Sequence, residues 1–176
     1  MAERLLTPSK ITAWLECSHY LSLSNQTDSG LLAIEPSPLS ELAELLIAKG
    51  SFHEGNCLAE FENAGRSIYR VPQRLINETF QQWVDRIGNP MESGFDVIYQ
   101  MPFVNEGIRG IADFLIRIDQ PIAGYAAYEP VDAKLTRSEG KPGHVLQLCF
   151  YAEAMGVLGG AVPREMHVWL GSGDTQ

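Results

Sequence analysis

Two apolar, β-rich runs in the second half of the chain each carry one carboxylate, and this restricts what the chain can become. The run 107–118 holds Asp113; the run 125–135 holds Asp132, with Lys134 two residues further on. Side chains of a strand alternate between its faces. Alternation predicts Ala112, Phe114, Ile116 and Ile118 on one side and Asp113 on the other. In the second run it puts Asp132 and Lys134 on one side, with Val131, Ala133 and Leu135 filling the core side. A carboxylate planted singly in such a strand is costly to bury unless something cationic meets it. Lysine is one such partner and a divalent metal is the other. Two carboxylates beside one lysine point to both.

Upstream, Thr7-Pro8 marks a helix start, with Thr7 as N-cap and Pro8 in the first helical position. Ile11, Leu15 and Leu21 or Leu23 form a short amphipathic stripe around Trp14 and Cys17. Residues 22–36, rich in Ser, Asn, Asp and Gly, read as an exposed loop. Ser37-Pro38 opens a long helix that runs to Asn63, with Leu42, Leu46, Gly50, His53, Cys57 and Phe61 on one stripe. His53 is thereby on the buried face, while Glu54 faces solvent or a neighbouring basic group. A short strand at 67–71 and a helix at 73–87 follow, the helix turning Leu75, Phe80, Trp83 and Val84 inward. Strands at 95–103, 107–118 and 125–135 come next, the first two joined by a hairpin turn at 104–107. A helix at 144–156 and a strand at 165–170 complete a β-β-β-α-β order.

At 176 residues the chain reads as a single domain, 1–90 mainly helical and 91–176 strand-rich. No apolar run approaches the roughly 18 residues of a membrane helix, so no membrane partner is expected. The first residues show no signal-peptide core, and three widely spaced cysteines suggest no disulfide framework. A cytoplasmic protein is the expectation.

The ordered set Asp113, then Asp132-Ala133-Lys134, then Gln147-x-x-x-Tyr151 resembles the core of the PD-(D/E)xK nuclease superfamily. The nearer likeness is to its RecB-like branch, with GxxD, (D/E)xK and QxxxY on a helix; the stretches 96–100 and 109–115 are similar to RecB-like nucleases as well. The likeness covers the second half well and the first half loosely. It implies an α/β, restriction-endonuclease-like fold: a mixed β-sheet flanked by helices, with an N-terminal helical part. The implied activity is metal-dependent hydrolysis of DNA. On that resemblance Asp113, Asp132 and the main-chain carbonyl of Ala133 hold Mg²⁺ or Mn²⁺, and His53 adds a nitrogen that favours Mn²⁺. Lys134 positions or polarises the attacking water, and Gln147 and Tyr151, one helical turn apart, sit beside the site. The competing reading is a catalytically inactive nucleic-acid-binding or docking module with the same fold. The resemblance also raises the alternative that the chain is the front piece of a longer protein, with a helicase or further domains as partners.

Some RecB-like nucleases carry an iron–sulfur cluster whose first cysteine comes from an N-terminal helix, and Cys17 matches that position. No cysteine follows Cys149, however, and four thiolates are the usual set. No cluster is expected in this chain, and Cys17 is read as a small buried hydrophobe.

The net charge of −9 opposes a nucleic-acid partner, because phosphate contacts dominate such affinities. Metal would neutralise some carboxylates, and Arg109, Arg117, Lys134, Arg137 and Lys141 are expected around the motif. Weak DNA binding by this chain alone follows.

Overall fold

The computed structural model describes residues 5–33, 37–119, 121–136 and 141–171. Strands β1 (Ile68–Arg70), β2 (Val97–Asn105), β3 (Ile108–Arg117), β4 (Tyr128–Lys134) and β5 (His167–Leu170) form one sheet in chain order. The outer pairs β1–β2 and β4–β5 are parallel and the two inner pairs antiparallel, which makes the sheet mixed and the class α/β. Parallel neighbours need crossover connections. Helix α4 (Phe80–Ile87) lies in the first crossover and α5 (Pro142–Gly159) in the second.

Both faces of the sheet are covered. Phe80 and Trp83 of α4 join Leu148, Tyr151 and Met155 of α5 in the larger core, over Ile98, Met101, Ala112 and Leu115. Helix α3 (Glu41–Asn63) covers the other face, where Cys57, Leu58 and Phe61 meet Val97, Phe114 and Val131. Trp83 is an anchor of the larger core, its indole N–H donating to the Pro72 carbonyl at 2.8 Å.

Strict alternation in β3 does not hold. Ala112 belongs to the α5-side core, whereas Phe114 and Ile116 belong to the α3-side core. The ladder passes from Tyr99–Phe114 to Met101–Ala112, and between these pairs Gln100, with φ of 63°, stands opposite Asp113. Such a φ belongs to the left-handed region, uncommon outside glycine. The local distortion swaps the faces of both strands at this point. In β4 alternation survives, with Val131 and Ala133 toward α3, and Asp132 on the other face with the donor Gln147 of α5. The side of Asp132 is nonetheless core too, because the sheet is packed on both faces.

Several helix boundaries depart from the sequence pattern. Helix α1 (Pro8–Glu16) starts as expected, with the Thr7 side chain accepting from the Lys10 amide. Residues 20–28 form a second helix, α2 (Tyr20–Asp28), inside the segment expected to be a loop. It buries none of its residues, so polarity hid it; a Lys10–Asp28 ion pair ties its end to α1. Helix α3 begins after Ser40, which accepts from Ala43, not at Ser37. Leu42 and Leu46 are 65% and 52% exposed, so the apolar stripe is covered by the sheet only in its second half. Helix α4 starts at Phe80 because Thr79 and Gln82 form a capping box. Cys17 is exposed, contrary to the buried reading, because it lies past the last turn of α1. Arg137 lies outside the described residues.

Candidate functional site

The distortion at Gln100 lies across the ladder from Asp113, the first of the two carboxylates. Asp113 uses its Oδ2 to accept from the Ala133 amide at 2.8 Å, so a side chain joins β3 to β4 just past the Phe114–Val131 pair. The Ala133 group shown at Asp113 is thus its N–H. Asp132 is close enough for the two carboxyls to act on each other's ionisation, and it is wholly buried, at 0% exposure.

Helix α5 closes the site from the other side. Gln147 donates through Nε2 to Asp132 Oδ1 at 3.0 Å and to the Tyr151 hydroxyl at 2.9 Å. Tyr151 in turn donates to the Ile111 carbonyl at 2.6 Å. Both side chains therefore buttress Asp132, and the order Gln-x-x-x-Tyr has a geometric reason: residues four apart on a helix stack on one face. Gly110 completes the arrangement. A Cβ there would lie 2.8 Å from Tyr151 Cε1 and 2.9 Å from Phe150 Cε1, both on large, buried rings. Only glycine lets α5 come this close to β3.

The charges are unbalanced. The Lys134 ammonium lies 2.7 Å from Asp132 Oδ2, yet that buried oxygen has no aligned hydrogen-bond donor, so the contact is an off-axis ion pair. Burial, and then the Asp132 charge, push Asp113 well above the ordinary carboxylate range, to about 8. Asp132 is also raised by burial, against the opposing pull of Lys134. Burial raises the Tyr151 phenol as well, so it acts as a neutral donor. One lysine serves a buried carboxylate, Asp132, and a half-buried one, Asp113. Two neighbouring carboxylates served by one lysine offer the oxygen donors that a hard divalent cation takes, provided Asp113 gives up its proton.

Two further residues belong to this neighbourhood and were not expected. Glu54 of α3, read as solvent-facing, accepts from Gln100 Nε2 at 2.5 Å, and its charge adds to the rise at Asp113. With burial, Glu54 also lifts the Tyr99 phenol to about 12. Its spacing to Cys57 and Phe61, three and seven residues, places it on the inward face and was the available signal. His144, in the first turn of α5, is held below its usual pKa by burial and by Lys134.

His53 stands apart. Its Nε2 contacts the Trp169 carbonyl at 3.2 Å and its ring borders Cys57 Sγ, the arrangement of a satisfied core histidine. Among the described residues, the group of three ligand atoms lying within 4.8 Å of one another is Glu129, Glu165 and His167, and it includes neither His53 nor the two aspartates. Its geometry has an ordinary cause: Glu129 bonds His167 at 2.9 Å, and Glu165 pairs with Arg164. Arg117 also lies away from the site, paired with Asp96 at the far end of β3.

A groove of about 630 Å³ opens beside Gln147 and Tyr151, floored by Gly110 and Ile111 and walled by Phe80 and Trp83. No helix among the described residues is long and apolar enough to cross a membrane. Comparison of the chain with protein-family models and with curated proteins returns no match.

Proposed function

We propose that this chain is a metal-dependent nuclease that hydrolyses phosphodiester bonds of DNA, in the manner of the RecB-like branch of the PD-(D/E)xK superfamily. One observation carries the reading: a wholly buried Asp132 and a half-buried Asp113, neighbours on adjacent strands, share one lysine. A plain surface ion pair would need neither the burial nor the second acid.

Asp113 and Asp132 would hold Mg²⁺ or Mn²⁺. When bound, the ion supplies Lewis-acid neutralisation of the phosphate and a lowered pKa for water. The protein's own groups do the rest. In hydrolysis a water oxygen bonds to phosphorus and gives up a proton to solvent, while the bond to the leaving oxygen breaks and that oxygen takes a proton from solvent. Lys134, beside Asp132, is placed to stabilise the charge that grows on the phosphate oxygens. Gln147 spends both amide protons on Asp132 and Tyr151, which leaves its Oε1 as an acceptor to orient a water or a sugar hydroxyl. Tyr151 fixes that amide by anchoring to Ile111. Glu54 is a candidate for outer contacts to the ion or its waters. His53 would join only by releasing the Trp169 carbonyl.

Single-turnover cleavage of labelled single- and double-stranded oligonucleotides, with Mn²⁺ or Mg²⁺, tests the reading. The parent should cleave. Lys134→Ala should lose on the order of 10²–10³ in rate with metal affinity kept, and Asp132→Ala should lose both. Absence of cleavage by the parent with either ion, together with retained DNA binding, would favour the inactive docking module.

A further inference from the structure

The described arginines divide sharply. Arg66, Arg70, Arg86, Arg117 and Arg164 are each paired with a carboxylate. Arg74 and Arg109 enter no ion pair among the described residues, and both line the groove that opens beside Gln147. Arg109 instead lies 5.2 Å over the Phe80 ring, which fixes its stem while its charge stays unmatched. In a chain with net charge −9, two guanidinium groups that reach one cavity outside any close ion pair, Arg74 feeling only the more distant charge of Glu78, offer a place for an anion that comes and goes.

The rest of the lining narrows the class of anion. The Gln73 amide and the amide oxygens of Gln100 and Gln147, whose Nε2 groups already donate to Glu54, Asp132 and Tyr151, stand beside apolar Val71 and Ile111. Phosphate needs the guanidinium groups but has no use for a mixed amide and apolar wall. Unpaired bases do, since they offer hydrogen-bonding edges and flat apolar faces. A duplex turns its phosphates outward and its bases inward, so it would leave such a concave wall unfilled.

We infer that the groove between α1, α4 and the β2–β3 hairpin seats an unpaired strand of nucleic acid, with its phosphates on Arg74 and Arg109 and its bases against the amide and apolar wall. This rests on the nuclease reading only for the choice of nucleic acid as the anion. The strand would then pass directly by Gln147, whose other face holds Asp132.

Fluorescence anisotropy of a labelled 12-nucleotide DNA, in EDTA so that no metal-dependent step intervenes, tests the inference. The parent should bind the single strand, with the logarithm of affinity falling linearly with the logarithm of salt. Each phosphate contact contributes about 0.7 to that slope for single strands. Arg74→Ala and Arg109→Ala should each lower the slope by about 0.7. Arg109→Lys should restore most of it, and Arg164→Ala, outside the groove, should leave it unchanged. Equal slopes for the parent and both alanine variants would overturn the inference, as would no measurable binding by the parent at 50 mM salt. A blunt duplex bound as tightly, with the same arginine dependence, would overturn the single-strand assignment. Binding that depends on these arginines in a parent that never cleaves with Mn²⁺ would uphold this inference and remove the nuclease reading.

Discussion

Replacing Lys134 with methionine keeps most of the stem and removes the charge that faces Asp132. Asp132 is wholly buried and the Lys134 side chain is only 26% exposed, so water cannot substitute for the ammonium. Removing one partner of a buried pair costs about 3–5 kcal/mol, and the partial exposure of Lys134 argues for the lower end, about 3 kcal/mol. With a urea slope of about 2 kcal/mol per molar, the unfolding midpoint should fall by about 1.5 M. The deficit should also depend on pH. Burial raises the folded-state pKa of Asp132 above its unfolded value, and loss of Lys134 raises it further. A group raised in this way favours the folded state fully below its unfolded pKa, about 3.9, and loses that contribution as pH rises through the folded value. The variant should therefore approach the parent near pH 4 and fall furthest behind it at pH 8. Millimolar Mn²⁺ should narrow the gap by supplying the missing charge. The assay is urea unfolding followed by tryptophan fluorescence at pH 4, 6 and 8, with and without metal. A deficit that is flat with pH and unmoved by Mn²⁺ would refute the electrostatic reasoning and leave a packing effect.

Gly110→Ala should destabilise by about 1–3 kcal/mol through overpacking against Tyr151 and Phe150, lowering the melting temperature by a few degrees in calorimetry. Tyr151→Phe takes the hydroxyl partner from the part-buried Ile111 carbonyl and from one N–H of Gln147, whose bond to Asp132 remains; a loss of about 1–3 kcal/mol in urea unfolding is expected, with slower cleavage at unchanged Mn²⁺ affinity. Isothermal titration should show Mn²⁺ binding abolished in Asp132→Ala and kept in His167→Ala, which separates the aspartate pair from the Glu129, Glu165 and His167 group. The same titration should tighten from pH 6 to pH 8, because Asp113, raised to about 8, must release its proton before it ligates.

Asp113, Asp132, Lys134, Gln147 and Tyr151 were grouped by the motif resemblance; periodicity alone carried only their local placement, two in a strand and four on a helix, and the structure does bring these side chains together. What alternation could not show was the swap of faces at Gln100 and Asp113, since a left-handed residue inside a strand leaves no mark in the hydrophobic pattern. The inward face of Glu54 could be read from its spacing to Cys57 and Phe61, but what Glu54 and Gly110 meet could not. Each depends on a tertiary approach, of α3 across the sheet or of α5 against β3, and not on its own neighbours in sequence. Helix α2 was missed because it buries nothing, and the exposed start of α3 was misread because a stripe of leucines predicts a covering element that the described residues do not provide.

The acidic balance of the chain and an anionic substrate are compatible once the charges are placed. Most described arginines are spent on surface carboxylates, and over about 10 Å at ordinary ionic strength the remaining excess of acid is screened. What a bound strand meets is local: Arg74, Arg109 and the aspartate pocket. Without metal, Asp113 keeps its proton at neutral pH, and the pocket formed with Asp132 and Lys134 is close to neutral. A divalent ion displaces that proton and leaves the three side chains and the ion with one net positive charge. Substrate affinity should therefore depend more on the ion than on the general field of the protein. Lys134→Ala, in which cleavage is slow, makes this measurable: its affinity for a single strand should rise when Mn²⁺ replaces EDTA at constant ionic strength. An affinity indifferent to Mn²⁺ would mean that the strand lies in the groove without reaching the carboxylates, and the groove and the aspartate pair would then have to be treated as separate sites.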